Sequence, residues 1–547
     1  MTIQRLATTR RLAPTRRLRT GVAVGTALIL ALAGCSSGTP NSTGGGESGS
    51  AAPTDGTLTV GLLGDIGQPP DPDIYYANNG TAIMINAYEG LVQYKNDTDT
   101  VEIAPRLAES WDVNATNDVY TFHLRKGVTF HDGTPFTSAA VDVAFKRRIA
   151  VKGGAAYMVE AVKSVTTPDD YTAVIALTKP NTAFLSYLAS PFGPKMESPE
   201  GLKANAGSDD AQTYLSSHDL GTGPYQLTAA QTGVKYELTQ YDGYWGPKSP
   251  FTKVELPVYT DESALELAFD NGTVDTIVAA LPSSSLDKYS NAGNVSNYFL
   301  PTLQGAMVTV NSSHDFFKTA DARVAFLKSI DQAALVDQVL GKRSEVATTM
   351  YAKGMIPGGS GVEDKQAISY DANALKAHVD ALPAGATKKL VIGYANGNVN
   401  AQSMTNIVVA NLQTVGLDAS AQGYDTSTVF GWINDPPSGP DAFIDGNNGP
   451  DGGDPYMWGH VFWDASGGIN YFGCESKEVN GLLDQALATG DTATYVKAGE
   501  LYGQTGCFLN LSYNQDWVVA QKWLTGVPES QNIGANELNF SLLGIAG

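Results

Sequence analysis

The chain has 547 residues, 42% of them hydrophobic, with 56 acidic against 35 basic side chains and a formal net charge of −21. So acidic a polypeptide is repelled by phosphate backbones and anionic lipid surfaces, which excludes nucleic acid as a partner. Its length exceeds that of one ordinary domain, and its apolar fraction suffices for a substantial core.

Residues 1–34 carry six arginines and no acid, followed by an uncharged run over 21–33. That run is too short to span a bilayer comfortably and ends in small residues, as a signal peptide does. Leu32-Ala33-Gly34-Cys35 resembles a bacterial lipobox, in which Cys35 is lipidated and becomes the new N-terminus. Arg10-Arg11 and Arg16-Arg17 leave a twin-arginine export route open beside the general one. Residues 35–55 are mostly Gly, Ser, Thr, Asn and Pro, a composition that buries no core and reads as a flexible tether. Without residues 1–34 the body has 29 basic and 56 acidic side chains, a net charge of −27. No later stretch offers eighteen consecutive apolar residues. Beyond Cys35 there are two cysteines, Cys474 and Cys507. An exported compartment permits a disulfide, and these two are expected to pair rather than bind metal.

Along the body, 57–63 reads as a buried first strand and 68–73 (QPPDPD) as a turn-rich loop, with a helix over 82–91. In 120–124, Tyr120, Phe122 and Leu124 alternate with Thr121 and His123, the period of a strand with one buried face. Lys126-Gly127 breaks this run, Val128-Thr129-Phe130 resumes it, and His131-Asp132-Gly133-Thr134-Pro135 is a dense turn signal. Thr137 then N-caps a helix whose apolar side begins at Ala140, Val141, Ala144 and Phe145. Short strands follow at 162–167 and 172–177, then a helix at 261–270 that Gly272 stops. A strand at 388–394 with a helix at 399–415 has βα character. Helices at 479–488 and 495–501 precede a returning strand at 509–513.

The block Leu124-Arg125-Lys126-Gly127-Val128-Thr129-Phe130-His131-Asp132-Gly133-Thr134-Pro135-Phe136-Thr137 closely resembles the signature of the large extracytoplasmic solute-binding proteins. These deliver oligopeptides, dipeptides and nickel complexes to ABC importers. Other ordered blocks agree: Pro70-Asp71-Pro72, Asn86-Ala87-Tyr88-Glu89-Gly90-Leu91, Pro105–Trp111, Gly221-Thr222-Gly223-Pro224-Tyr225, Gly272–Asp275 and Asp451-Gly452-Gly453-Asp454-Pro455. The sequence departs from the pattern at Tyr241, where an Asn is usual, and at Ala325, which replaces an Arg. The resemblance implies an α/β, two-lobed periplasmic-binding-protein fold of class II, the large type with an extra inserted subdomain, its mixed sheets flanked by helices. The implied segments are lobe I at 56–86, 221–308 and 511–547, the inserted subdomain at 87–220, and lobe II at 309–510.

In peptide-binding members the first aspartate of the D-x-x-D-P pattern receives the ligand's α-ammonium group, which assigns Asp451 as the cationic anchor. The ligand backbone would lie between an edge at Tyr75-Tyr76-Ala77-Asn78 and one at Asn447-Asn448-Gly449, with main-chain bonds supplying affinity. An aromatic usually precedes the aspartate; here Asn448-Gly449-Pro450 takes its place and offers amides instead of stacking surface. Tyr157 is expected to bring a hydroxyl from the inserted subdomain, with Trp432, Trp458 and Trp463 flanking the cleft. Arg323 reads as structural, and no basic residue awaits a ligand carboxylate.

His123, His131 and Asp132 are too widely spaced for a compact metal set, and neither a G-x-S-x-G elbow nor a phosphate-cradling loop occurs. The expectation is therefore a monomeric, lipid-anchored receptor without cofactor or catalysis, on the outer face of the bacterial cytoplasmic membrane. It would capture a small polar solute, a peptide first, and hand it to permease subunits. An oligosaccharide or a nickel or other metal chelate is the alternative ligand. A secreted glycoside hydrolase is the rival enzyme, and an adhesin or signalling receptor on the same fold the rival binding role.

Overall fold

The computed structural model describes residues 51–77, 79–279, 281–356 and 362–547. The leader, the lipidation site Cys35 and Asn78 lie outside the described residues.

The first strand, Thr57–Leu63, buries Leu58, Val60 and Leu62 and organises an eight-stranded mixed sheet. It pairs in parallel with Lys253–Tyr259 on one side and Thr276–Val278 on the other. Antiparallel strands extend the sheet, with Lys235–Gln240 and Tyr225–Gln231 beyond the first neighbour and Ser512–Gln521 and Val295–Pro301 beyond the second. Ser344–Val346 joins along the N-terminal half of Ser512–Gln521.

A five-stranded sheet forms the second lobe, in the order Asp418–Tyr424, Lys389–Ala395, Ala442–Asn448, Gly305–Val310, Phe508–Asn510. The helix Val399–Thr414 crosses from Lys389–Ala395 to its parallel neighbour and buries Met404, Val408 and Leu412 against the sheet. Gly305–Val310 already belongs to this sheet, so a lobe boundary at 308 would cut through a strand whose six residues are all buried.

A separate four-stranded antiparallel sheet carries the inserted subdomain, in the order Ala108–Val113, Val119–Leu124, Thr172–Leu177, Val162–Asp169. The helix Ser138–Val151 is tied to this subdomain by Ala140, Val141, Ala144 and Phe145, all buried in its core. Thr137 has extended N-cap backbone geometry but makes no side-chain cap bond.

The first helix is shorter than its sequence implies. It runs Thr81–Ala87 and stops before Tyr88 and Glu89. Glu89 is buried and pairs with Arg106 at 2.6 Å while accepting from Thr222 Oγ1 and Trp245 Nε1. A carboxylate removed from water needs these partners, and the helix yields to supply them. Cys474 and Cys507 are bonded to one another across 33 residues of sequence. Closing a loop of that length stabilises a chain by about 3–4 kcal/mol in the chain-entropy account. Among the described residues no helix is long and apolar enough to cross a membrane.

Candidate functional site

The loop after the first strand is held by charge. Asp71 and Asp73 are fully or almost fully buried, and both meet the helix Ser138–Val151. Arg147 reaches Asp71 at 2.6 Å, Asp73 at 2.9 Å and Glu197 at 3.3 Å, and Arg148 reaches Asp73 at 2.8 Å. Arg148 also donates to the carbonyls of Pro72 and Phe192, both at 2.6 Å. Gly153 and Gly154 press on the same loop: a Cβ on Gly153 would lie 1.9 Å from the Asp73 carbonyl, and one on Gly154 would lie 2.4 Å from the Tyr76 ring. Only glycine admits that approach. Tyr76 then stands edge-on to Phe192, with ring centroids 5.1 Å apart, and its backbone N–H donates to Gln68 Oε1 at 2.7 Å.

Opposite this loop, Asp451 sits between the strand Ala442–Asn448 and the helix Pro455–Trp463. Asp454 is the N-cap of that helix, accepting from Tyr456 N at 2.8 Å with Pro455 in the first turn. That geometry explains the D-P half of the motif and leaves Asp451 free for another role. The hydroxyls of Tyr76 and Tyr157 donate to Asp451 Oδ2 at 2.6 and 2.5 Å. Ser190 Oγ donates to its carbonyl at 2.5 Å, and Tyr94 accepts from Gly453 N at 2.7 Å. Asp451 is 8% exposed, and burial pushes its carboxyl upward despite the two phenols. Its second oxygen, Oδ1, has no donor among the described residues. A buried carboxylate with one oxygen satisfied is a receptor for a hydrogen-bonding cation.

Tyr76, Ala77, Asn447, Asn448, Gly449 and Asp451 all line one cavity of about 730 Å³ between the lobes. Its remaining wall includes Asp65, Phe192, Gln304, Phe430 and Asn536, and among the described residues no Lys or Arg lines it. The size is that of a site for a small organic ligand. Its amides are pre-set: Asn447 Nδ2 donates to Gln304 Oε1 at 2.5 Å, and Asn514 Nδ2 donates to Asn447 Oδ1 at 2.7 Å. The segment 75–77 is loop, and Asn448 ends a strand opposite Gly305, so neither expected edge is an open strand.

Three expected wall residues lie elsewhere. Trp432 is 2% exposed and packs with Phe443, Tyr471 and Phe472 in an aromatic cluster of the second lobe. Trp458 is 1% exposed against Phe462 and Phe508, and Trp463 stacks on Tyr502. Indole rings of this size gain more from full burial than from a wet wall. Phe192 and the half-exposed Phe430 supply the cleft's aromatic surface instead. No motif marks either: Phe192 lies in a turn far from Asp451 in sequence, and Phe430 in the short helix Thr426–Gly431. Arg323 donates to the carbonyls of Phe317 and Thr505 at 2.7 and 2.8 Å, a structural role. His123 is exposed beside Asp112, whereas His131 is buried and bonded to Asp219 and to the Gly223 carbonyl.

The family model described as "Bacterial extracellular solute-binding proteins, family 5 Middle" matches residues 102–469. The chain belongs to this family. The two-lobed, mixed α/β architecture is the periplasmic-binding-protein fold of the family 5 type. Among its relatives, the "Probable D,D-dipeptide-binding periplasmic protein DdpA" of Escherichia coli is 29% identical over 452 residues, covering 81% of this chain and 84% of that protein. The nickel-binding periplasmic protein of the same organism is 22% identical, covering 84% and 90%. The binding protein DppA of Helicobacter pylori, solved in complex with the peptide STSA, superposes with a TM-score of 0.76 at 21% identity, covering 90% of this chain and 98% of that one. NikZ of Campylobacter jejuni, solved with Ni(L-His), superposes at 0.75 with 20% identity, covering 89% and 99%.

Burial gives this solute-binding protein a pH dependence. It holds the carboxyls of Asp275, Asp364 and Asp454 up at about 6 and that of Asp516 at about 7. Burial opposes the charge on His131, but the Asp219 carboxylate outweighs it and raises that imidazole too. Groups raised in the folded state stabilise it fully below their unfolded values and lose that contribution as pH climbs through the folded ones. The melting temperature of the unliganded protein is therefore expected to fall by about 5 °C or more between pH 5.5 and pH 8. Scanning calorimetry checks this, and a level or rising melting temperature would contradict it.

Proposed function

We propose that this protein is the substrate-binding lipoprotein of an ABC importer and that it captures short peptides by their N-terminal ammonium group at Asp451. The observation that supports the reading is the buried Asp451 carboxylate, with one oxygen fixed by two tyrosines, at the wall of an inter-lobe cavity that no lysine or arginine lines among the described residues. An α-ammonium carries one charge and three donors, enough to neutralise the carboxylate and to reach neighbouring acceptors. The amides of Asn447 and Asn448 and the backbone at Ala77 and Gly449 suit a peptide main chain, while the ligand carboxylate is left to water.

Ligand contact with both lobes shifts the population toward the closed form, which docks on two permease subunits while separate ATPases supply energy. Cys35 would carry the lipid that keeps the receptor at the outer face of the membrane, with residues 35–55 as its tether. The relative named as a probable D,D-dipeptide-binding protein and the one solved with the peptide STSA support this ligand class.

A thermal-shift screen tests the reading, because a ligand that binds only the folded state raises the melting temperature by mass action. Di- to hexapeptides with free N-termini are expected to raise it, and their N-acetylated forms are not. A shift confined to cello- or xylo-oligosaccharides or to nickel chelates would overturn the peptide assignment.

A further inference from the structure

Part of the wall of the inter-lobe cavity is apolar and open. Phe430, near the end of the helix Thr426–Gly431, is 48% exposed and stands edge-on to Tyr471 with ring centroids 6.0 Å apart. Among the described residues it is the one exposed large apolar side chain that lines this cavity. Pro450 and Ile469, both half-buried, continue the second-lobe wall. Beside Ile469 a Cβ on Gly468 would meet nothing within 4 Å, so the wall leaves room there. Phe192, half-buried as well, comes from the first-lobe side, where it packs against the core of the eight-stranded sheet. A lone exposed apolar side chain is ordinary on an open surface, but several kept wet in one concave wall are costly until an apolar group covers them.

The polar groups of the same wall are already engaged. Besides Asp451, the one acid among the described lining residues is Asp65. Its Oδ1 accepts from Tyr236 Oη at 2.7 Å and from Gly233 N at 3.0 Å, and the N–H groups of Ile66 and Gly67 bond the same carboxylate. Asn447 is bonded at both ends of its amide, to Gln304 and to Asn514. Asn448 Nδ2 donates to Asp445 Oδ2 at 2.8 Å. The patch therefore offers a ligand side chain removal from water and ring contact, and no charge.

We propose that this patch is a subsite for a large apolar side chain, aromatic above all, near the N-terminus of the bound peptide, held between Phe192 and Phe430. The assignment rests on the peptide reading of Asp451 and narrows it to peptides with such a residue in first or second place. Phe192 sets the subsite beside the anchor, because Tyr76 touches both that ring and the Asp451 carboxylate. Phe430 belongs to the second lobe, so a ligand ring that covers both phenylalanines joins the two sides of the cleft and favours the closed form.

Titration calorimetry with Phe-Ala-Ala, Ala-Phe-Ala, Gln-Ala-Ala, Ala-Gln-Ala and Ala-Ala-Ala tests it, since glutamine supplies a long side chain that is polar. The better of the two phenylalanine peptides is expected to bind at least about tenfold more tightly than the alanine and glutamine peptides. In Phe430→Ala that advantage should fall to within about threefold while Ala-Ala-Ala binds as before, with folding checked by the melting temperature of the variant. Equal binding of all five peptides by the wild-type protein, or an unchanged advantage in Phe430→Ala, would overturn the subsite and leave the peptide reading standing. If no peptide binds, that reading fails and 2-phenylethylamine, which has an amine and a ring but no peptide bond, decides the subsite against ethylamine. A tenfold preference for 2-phenylethylamine that Phe430→Ala abolishes upholds the subsite, and absence of that preference overturns it.

Discussion

Asp451→Asn is expected to weaken a peptide with a free N-terminus by roughly tenfold or more, about 1.4 kcal/mol, while leaving the unliganded protein at least as stable. The two halves of that result have one cause. The substitution keeps the volume of the side chain and an oxygen that the hydroxyls of Tyr76 and Tyr157 can still reach. It deletes the charge that a desolvated ammonium requires, and it replaces a free acceptor with an amide whose N–H₂ repels that ammonium. In the absence of ligand the same charge is a burden, because burial pushes the Asp451 carboxyl upward by more than the two phenols and the field of His460 pull it down. A structural aspartate would behave in the opposite way, losing stability on substitution. Calorimetric affinity and the unliganded melting temperature, measured together, separate the two. Unchanged affinity would remove Asp451 from the site.

Arg147→Met is expected to cost about 3–5 kcal/mol of folding stability, the scale for removing one partner of a buried charge cluster. Arg147 is 6% exposed and is the only residue that joins Asp71, Asp73 and Glu197 among the described residues. Burial pushes the carboxyls of Asp73 and Glu197 upward and the two guanidiniums oppose it, with the two aspartates the acids that these guanidiniums approach most closely. Methionine matches much of the stem volume but leaves one guanidinium, Arg148, to meet both. Arg147→Lys should recover only part of the loss, since an ammonium cannot present the bidentate fork that spans Asp71 Oδ1 and Oδ2. The same change should loosen the loop that aims Tyr76 at Asp451, so affinity falls along with stability. Urea unfolding measures the first effect, and a loss under about 1 kcal/mol would refute the account.

These two results bear on different links between chain and site. The first concerns a residue that a motif singled out, Asp451-Gly452-Gly453-Asp454-Pro455, and for which a part in binding is proposed. The second concerns a buried cluster that no motif announces. Pro70-Asp71-Pro72 marks a loop near the cleft, yet nothing in that tripeptide says that its acid turns inward onto Arg147. Trp432 and Trp458 show the opposite failure. Their size and position near the D-x-x-D-P block suggested a stacking wall, and packing against Phe472 and Phe508 took them into the core.

The amino-acid sequence by itself determined what depends on neighbours along the chain. The alternation of Tyr120, Phe122 and Leu124 set a strand, Asp261 and Asp454 capped helices, and the spacing of Ala140, Val141, Ala144 and Phe145 chose the buried face of Ser138–Val151. Only the tertiary structure decided the cleft. Tyr76 and Tyr157 meet Asp451 across 375 and 294 residues. Local propensities act over a few residues, whereas burial of charge is settled by whichever distant groups the folded chain brings within reach.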